Sequence, residues 1–466
     1  MTITPPAAVD AAVVNKTLRA TFESGRTRSL AWRQEQLAGL RRMVEEGDAE
    51  LVEALRQDLG RPAMEAFVAD IGHVKGELRH IAKHVERWMR PSKVRVPVTV
   101  APAKGWVQPE PLGVALVIAP WNYPIQLLLE PMAAALAAGN CVLAKPSEMA
   151  PACSAVLARL IPRYLDNDAV VLVEGGVAET TALLAERWDH IFFTGSTAVG
   201  RVIAEAAAKH LTPTVLELGG KSPTYVHASA DLEVAARRIA WGKFLNAGQT
   251  CIAPDYVLVD RQVRDSLVDK LNAQIGVFYG SDPQASASFG RIVNARHLGR
   301  LKGLLDKGAG TLVTGGTFDD SERFLAPTIT VDPSPESAIM QEEIFGPILP
   351  IVAVDGTEAA KAFINARPKP LALYVFANDS AVVDSVVDGT SSGGVCINQT
   401  LMHLLPPDLP FGGVGDSGMG AYHGKAGFDV FSHRKSVLRK PVKPDLKLLY
   451  PPYKGRVERL VRTILR

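Results

Sequence analysis

The strongest chemical signal in the chain is Gly248-Gln249-Thr250-Cys251, where a cysteine follows closely on a flexible glycine and so can present its thiol as a nucleophile at the start of an element. A cysteine on its own reads as well as a small buried hydrophobe, and Cys141 and Cys396, which lie in apolar strand-like runs, fit that reading. A nucleophilic thiol needs a base. Glu217, in Glu217-Leu218-Gly219-Gly220-Lys221, closes the apolar run Val215 to Leu218 at the carboxyl end of a strand, where open α/β sheets build their sites. It reads equally as a carboxylate paired with Lys221. Asn122, in Pro120-Trp121-Asn122-Tyr123-Pro124, can offer its amide to an oxyanion or cap its own turn. Phe193 to Gly200 is a strand, a glycine turn and a helix start whose backbone N–H groups suit a phosphate. Its G-x-x-x-x-G spacing is neither the dinucleotide fingerprint nor a P-loop, since Arg201 stands where the latter requires Lys.

These residues need a scaffold, and the periodicity supplies one. From about Val14 to Arg90 apolar residues recur at helical spacing among Arg, Glu and Gln. Lys93 to Val107 changes period, with Val94, Val96, Val98 and Val100 at every second position and Pro97 inside, which predicts an edge strand or arm suited to assembly. Strand-like and helical runs then alternate from Gly113 to Leu218 and again from Leu232 to about Val395, predicting two α/β domains in series, each with a parallel sheet. Gly415-Asp416-Ser417-Gly418 has the look of a serine nucleophile segment, but nothing else in an α/β chain of this kind supports that chemistry.

Composition narrows the function classes. The 466 residues carry 51 Lys+Arg against 49 Asp+Glu, a net charge of +2, with 47% hydrophobic residues. This is an ordinary folded chain, and it has no global attraction to nucleic acid. Four widely spaced cysteines give neither a disulfide framework nor a C-x-x-C zinc pattern, so we expect a reducing, cytoplasmic setting and no metal. Met1 to Val14 lacks Lys and Arg and contains Pro5, Pro6 and Asp10, so it is not expected to be a secretion signal. Pro124 to Ala144 is broken by Gln126, Glu130, Pro131 and Asn140, too polar to span a bilayer.

Taken together, Pro120 to Pro124, Lys145-Pro146-Ser147-Glu148, Phe193 to Gly200, Glu217 to Lys221, Gly248 to Cys251, Glu343-Ile344-Phe345-Gly346-Pro347 and Pro410-Phe411-Gly412-Gly413 resemble, in order, the motifs of the aldehyde dehydrogenase superfamily. The resemblance spans about Leu30 to Tyr453, and Gly418 to Lys425, Phe431 to His433 and Tyr450 to Tyr453 are most similar to its class 3 branch, which handles medium- to long-chain aliphatic and aromatic aldehydes.

The resemblance implies a Rossmann-like cofactor domain (1–92 and 108–216), an α/β catalytic domain (217–410), a bridging β arm (93–107 and 431–449) that pairs across a homodimer, and a tail helix (450–466). It implies oxidation of an aldehyde to the acid, with Cys251 as nucleophile, Asn122 holding the oxyanion and Glu217 activating water. For the cofactor it implies Trp121, Lys145 and Glu148 with Gly195, Ser196 and Gly200, and Glu343 and Phe345 at the nicotinamide end. A carboxylate at Glu148 near the adenosine 2′ position favours NAD, with NADP as the second option. The alternatives are a thiol esterase using Cys251 and Glu217, or an idle protein on the same fold. In the tail, Val457, Leu460, Val461, Ile464 and Leu465 form one helical stripe among Arg456, Arg459, Arg462 and Arg466. Such a helix either packs near the substrate entrance of its own subunit or its partner, or makes peripheral contact with an anionic membrane surface.

Overall fold

The structure is a computed structural model that describes residues 10–306, 308–445, 450–452 and 455–464. The end of the expected arm at 446–449, Tyr453 and the tail's Leu465 and Arg466 lie outside the described residues, as do the side chains of Arg456, Val457, Leu460, Val461 and Ile464 in the helix Gly455–Ile464.

Two mostly parallel sheets organise the chain. The first runs Gly418–Met419, Thr214–Glu217, His190–Thr194, Val114–Ile118, Cys141–Lys145, Val170–Leu172, with only the Gly418–Met419 edge antiparallel. Val114–Ile118 and Cys141–Lys145 are buried along their whole length, as strands covered on both faces must be, and this explains their unbroken apolar runs. The helix Gln126–Ala138 is buried on every side. It ends at Gly139, whose φ of 92° is left-handed and whose absent Cβ leaves room for the Arg33 guanidinium. Strand order turns back between Val114–Ile118 and His190–Thr194, so the loops after those two strands open a crevice at the carboxyl edge.

The second sheet runs Thr311–Thr314, Thr328–Val331, Ile348–Val354, Tyr256–Asp260, Pro223–Val226, Ala372–Phe376, Gly394–Ile397 and is parallel apart from the Thr311–Thr314 edge. The helix Leu232–Phe244, N-capped by Asp231 accepting from the Val234 N–H at 3.0 Å, leads from this sheet towards Cys251.

A third, antiparallel sheet joins Ser92–Val94, Lys104–Pro111 and Ser432–Arg439. The alternating valines do not form one strand as their spacing predicts. Only Val94 is in a strand; Val98–Val100 is a 3₁₀ turn with no buried residue, and the long strand starts at Lys104. Pro97 and Pro102 remove two backbone donors from the stretch between, which breaks the ladder there.

Candidate active site

The turn before Cys251 is conformationally unusual. Asn246 and Ala247 both have φ of 51°, and Gly248 has φ of 75° with its Cα so near the Gly346 carbonyl that a Cβ would lie 2.2 Å from that oxygen. Glycine at 248 is thus required on two grounds, conformation and space. The turn is pinned by Asn246, whose Nδ2 donates to the carbonyls of Asn122 (3.0 Å) and Gln249 (3.2 Å). The Asn122 amide in turn donates to the Gln249 carbonyl at 3.1 Å, which sets it against the cysteine loop, and the Tyr123 hydroxyl meets Thr250 Oγ1 at 2.6 Å. Sequence reasoning reached Asn122 but not the group that holds its loop. Arg61, only 1% exposed, donates to the Asp70 carboxylate, to the Asn122 carbonyl and, at 3.3 Å, to Asn246 Oδ1. No motif in Gly60-Arg61-Pro62 announces this role, because it depends on a contact across 185 residues. Replacing Arg61 by Met strands the Asp70 carboxylate in the interior, so we expect a loss of about 3–5 kcal/mol in denaturant unfolding. A loss of unfolding free energy below about 1 kcal/mol would contradict this.

Cys251 is half-buried and unpaired to any other cysteine. Burial, then the charges of Glu343 and Glu217, push its thiol up to about 12, against weaker help from the backbone N–H groups of Cys251 and Ile252. Both carboxylates thus act on the thiol through their charge. Glu217 is 2% exposed, neither of its oxygens has a hydrogen-bond partner among the described residues, and burial raises its carboxyl well above the usual range. Lys221 is not its partner: that ammonium goes to Asp255 at 2.5 Å and to the carbonyls of Ile339 (2.7 Å) and Glu342 (2.8 Å). Of the two readings of Glu217, the salt bridge is therefore removed. Glu343 lies over the following turn, where a Cβ on Gly219 would come within 2.2 Å of its Oε2, and burial lifts it to about 8.

Cys251 also belongs to the wall of a cavity of about 320 Å³, bounded by Leu127, Trp241, Leu245, Ile252, Leu401 and Phe411 among others. Met64, Val68 and Leu405 line it too and are exposed, so they mark its mouth. Glu217 and Glu343 lie outside this lining.

The remaining candidate residues lie along the first sheet's carboxyl edge. Lys145 ends its strand opposite Ile118, 2% exposed, its Nζ donating to the Pro146 carbonyl (2.7 Å) and lying 3.5 Å from half-exposed Glu148. Gly195 follows Thr194, its N–H donating to the Glu217 carbonyl at 2.9 Å; Ser196 caps the helix Thr197–Ala208 through the Val199 N–H. Gly200 lies in that helix's first turn, where a Cβ would meet Leu218 at 2.6 Å, so it permits close helix packing. Trp121 and Phe345 pack edge to face with centroids 5.3 Å apart, and Phe345 holds a φ of 46°. Ser417 spends its hydroxyl within its own turn, on Val414, so the Gly-Asp-Ser-Gly segment is a local structural feature.

The crevice fits a dinucleotide. A helix N-terminus and an unpartnered, buried Thr194 hydroxyl face the turn at Gly195. Val177, Val199 and Val202 stand exposed on two neighbouring helices, an apolar surface suited to an adenine face, and Lys145 with Glu148 suits a ribose. Glu179 was not singled out from the sequence; its carboxylate accepts the Gly176 N–H at 2.7 Å and its charge acts on Lys145. Among the described residues no cluster of His, Cys, Asp and Glu could hold a metal ion.

The profile of the aldehyde dehydrogenase family matches residues 3–437. A rat protein named "Aldehyde dehydrogenase, dimeric NADP-preferring" is 50% identical over 446 residues, covering 95% of this chain and 98% of its own. Rat "Aldehyde dehydrogenase family 3 member A2" is 48% identical over 93% of this chain and 90% of its own. Among solved structures, "Substrate bound state of Staphylococcus Aureus AldH" superposes with a TM-score of 0.95 at 42% identity, covering 98% of this chain and 99% of that one. With that profile covering residues 3–437 and relatives about half identical over nearly the whole length, the chain belongs to the aldehyde dehydrogenase family.

Proposed function

We propose that this chain oxidises medium- to long-chain aliphatic or aromatic aldehydes to carboxylic acids with NAD or NADP, through covalent catalysis at Cys251. One observation carries the reading: Cys251 lines an apolar cavity and feels the charges of Glu343 and Glu217, which lie outside that lining, Glu217 having no hydrogen-bond partner among the described residues. Substrate thus approaches through the cavity, while the base and the crevice lie beyond.

The steps follow from the groups present. Glu217 takes the thiol proton, and the thiolate attacks the aldehyde carbon. The resulting thiohemiacetal oxyanion is held by the Asn122 amide and the Cys251 N–H. When bound in the crevice, the nicotinamide supplies the acceptor for the hydride leaving that carbon. Trp121 and Phe345 would shape its end of the crevice, and Lys145, Glu148, Gly195 and Ser196 would hold the rest. A thioester remains on Cys251; Glu217, once it has released the thiol's proton to solvent, deprotonates a water that attacks the thioester carbon, and the acid leaves as the thiolate departs. Purified protein with a panel of aldehydes, from acetaldehyde through long-chain and aromatic members, tests the reading by reduced-cofactor absorbance. Cys251-dependent ester hydrolysis with no cofactor reduction would instead support the thiol esterase.

Glu148 bears on cofactor choice. Its carboxylate disfavours a 2′-phosphate, while Lys145 beside it favours one. Glu148→Ala is expected to raise the ratio of kcat/KM with NADP to that with NAD by about tenfold, a modest effect because the carboxylate is half-exposed. An unchanged ratio in steady-state kinetics would remove Glu148 from cofactor choice.

The three-stranded arm supports a homodimer: its edge strand Ser92–Val94 is exposed, and Val98, Leu438 and Val442 add apolar surface. Sedimentation equilibrium decides this, a monomer at micromolar concentration counting against it. Among the described residues no helix is long and apolar enough to cross a membrane. The membrane contact suggested by the tail is tested by liposome co-sedimentation of the full chain against one ending before Gly455, with equal non-binding as the negative result.

A further inference from the structure

We propose that the cavity beside Cys251 contains a hydroxyl-recognition site, built on His423 with Gln126, that selects aldehydes carrying a hydroxyl group remote from the carbonyl. The proposal rests on the dehydrogenase reading above. His423 lines the cavity yet is only 3% exposed, and its ring makes no hydrogen bond to any described residue. It is held on three sides: stacked on Tyr422 (centroids 4.1 Å, 29°), edge-on to Phe411 (5.6 Å, 90°) and edge-on to His73 (5.6 Å, 90°). Its backbone lies at φ 74°, ψ 143°, a conformation that side chains other than glycine rarely adopt. The chain therefore keeps a strained histidine, fixed in one orientation, in the wall of a cavity that packing alone would line with an apolar ring.

The neighbours decide what the ring can bind. Its Nδ1 lies 3.8 Å from Glu130 Oε2. Glu130 is kept below the usual carboxylate range, against its burial, chiefly by His73, which hydrogen-bonds its other oxygen. A nearby negative charge favours the tautomer with the proton on Nδ1, and burial pushes the imidazole down to about 4, so the ring is neutral at physiological pH. Nε2 is then a bare acceptor. Glu130 orients Gln126 in the same sense, receiving its amide Nε2 at 3.3 Å and leaving the amide oxygen as a second acceptor on the same wall. Among the other polar groups of the wall, Thr250 is committed to the Tyr123 hydroxyl, Glu65 to the Asn246 N–H at 3.2 Å and His73 to Glu130. A cavity that is otherwise apolar but offers unmet acceptors calls for a donor on the substrate. A hydroxyl supplies it, on an aromatic ring or along an alkyl chain, whereas an aldehyde without one leaves buried acceptors bare.

The test compares size-matched pairs, 3- and 4-hydroxybenzaldehyde with benzaldehyde and 8-hydroxyoctanal with octanal. We expect kcat/KM to favour at least one hydroxylated member, and that preference to fall by about tenfold or more in His423→Phe. Dividing the wild-type ratio by the variant ratio cancels the intrinsic reactivities. Gln126→Met provides a second measure, independent of the strained backbone, if the histidine variant does not fold. Calorimetric binding of the same aromatic pair to Cys251→Ala gives a readout free of turnover, with tighter binding of a hydroxylated aldehyde expected. Ratios that stay within threefold of wild type in the folded variants, with no binding preference, would overturn the site. Absence of turnover with any aldehyde would overturn the dehydrogenase reading, while the Cys251→Ala binding ratio would still decide the hydroxyl site.

Discussion

Cys251→Ala is expected to lower aldehyde-dependent reduction of NAD or NADP by at least about 10⁴-fold while leaving the protein folded. The effect is large because no other thiol can substitute. Cys153 is fully buried beside Asp58, and Cys141 lies inside a sheet strand with its thiol pushed up to about 12 by burial. Cys396 is half-buried, and none of these three thiols lines the cavity. Stability is retained because the strained turn at Asn246, Ala247 and Gly248 is held by backbone and amide contacts that do not involve the sulfur. Parallel measurements of steady-state rate and thermal unfolding check both halves of the expectation. Turnover within tenfold of wild type in a folded Cys251→Ala protein would remove covalent catalysis at this residue.

What the sequence disclosed and what it hid follow from the range of the interactions concerned. Strands such as Val114–Ile118 and Cys141–Lys145 were legible because a fully buried parallel strand must be apolar throughout. The Gly248 turn was legible because glycine marks a backbone constraint directly. The arm was misread over Val98–Val100 because alternation without pairing partners is only a pattern, and the prolines on either side prevented the ladder it suggested. Arg61 and Asn246 carried no local signal, and His423 stood only inside a stretch that carries the family resemblance. Arg61 matters through Asp70, Asn122 and Asn246, and His423 through Glu130 and Tyr422, contacts that exist only once the chain has folded. Glu217 sits between these cases. Its place at a strand end was readable, but the choice between base and ion pair needed the observation that Lys221 is occupied by Asp255.

That choice leads to the second large effect. Glu217→Gln keeps the shape of the side chain, removes a carboxyl group whose two oxygens lack partners among the described residues, and takes away the proposed base, so kcat should fall by about 10²- to 10⁴-fold with folding intact. The pH dependence gives the sign. Burial raises the Glu217 carboxyl, so at low pH it carries its proton and cannot accept another; wild-type activity should climb as pH rises and that proton is lost. Glu343, lifted to about 8, and the Cys251 thiol, pushed up to about 12, titrate on the same alkaline side and interact with it. The Gln variant should therefore lose only the part of the climb that belongs to Glu217. Rapid mixing separates the two steps assigned to this carboxylate. If its larger contribution is to hydrolysis of the thioester, as the water-activating role requires, the variant will release about one equivalent of reduced cofactor per active site in a burst and then stall as acyl-enzyme. A burst slowed as much as the steady state would instead place the main contribution of Glu217 at deprotonation of the thiol, because an acyl-enzyme that forms slowly cannot accumulate.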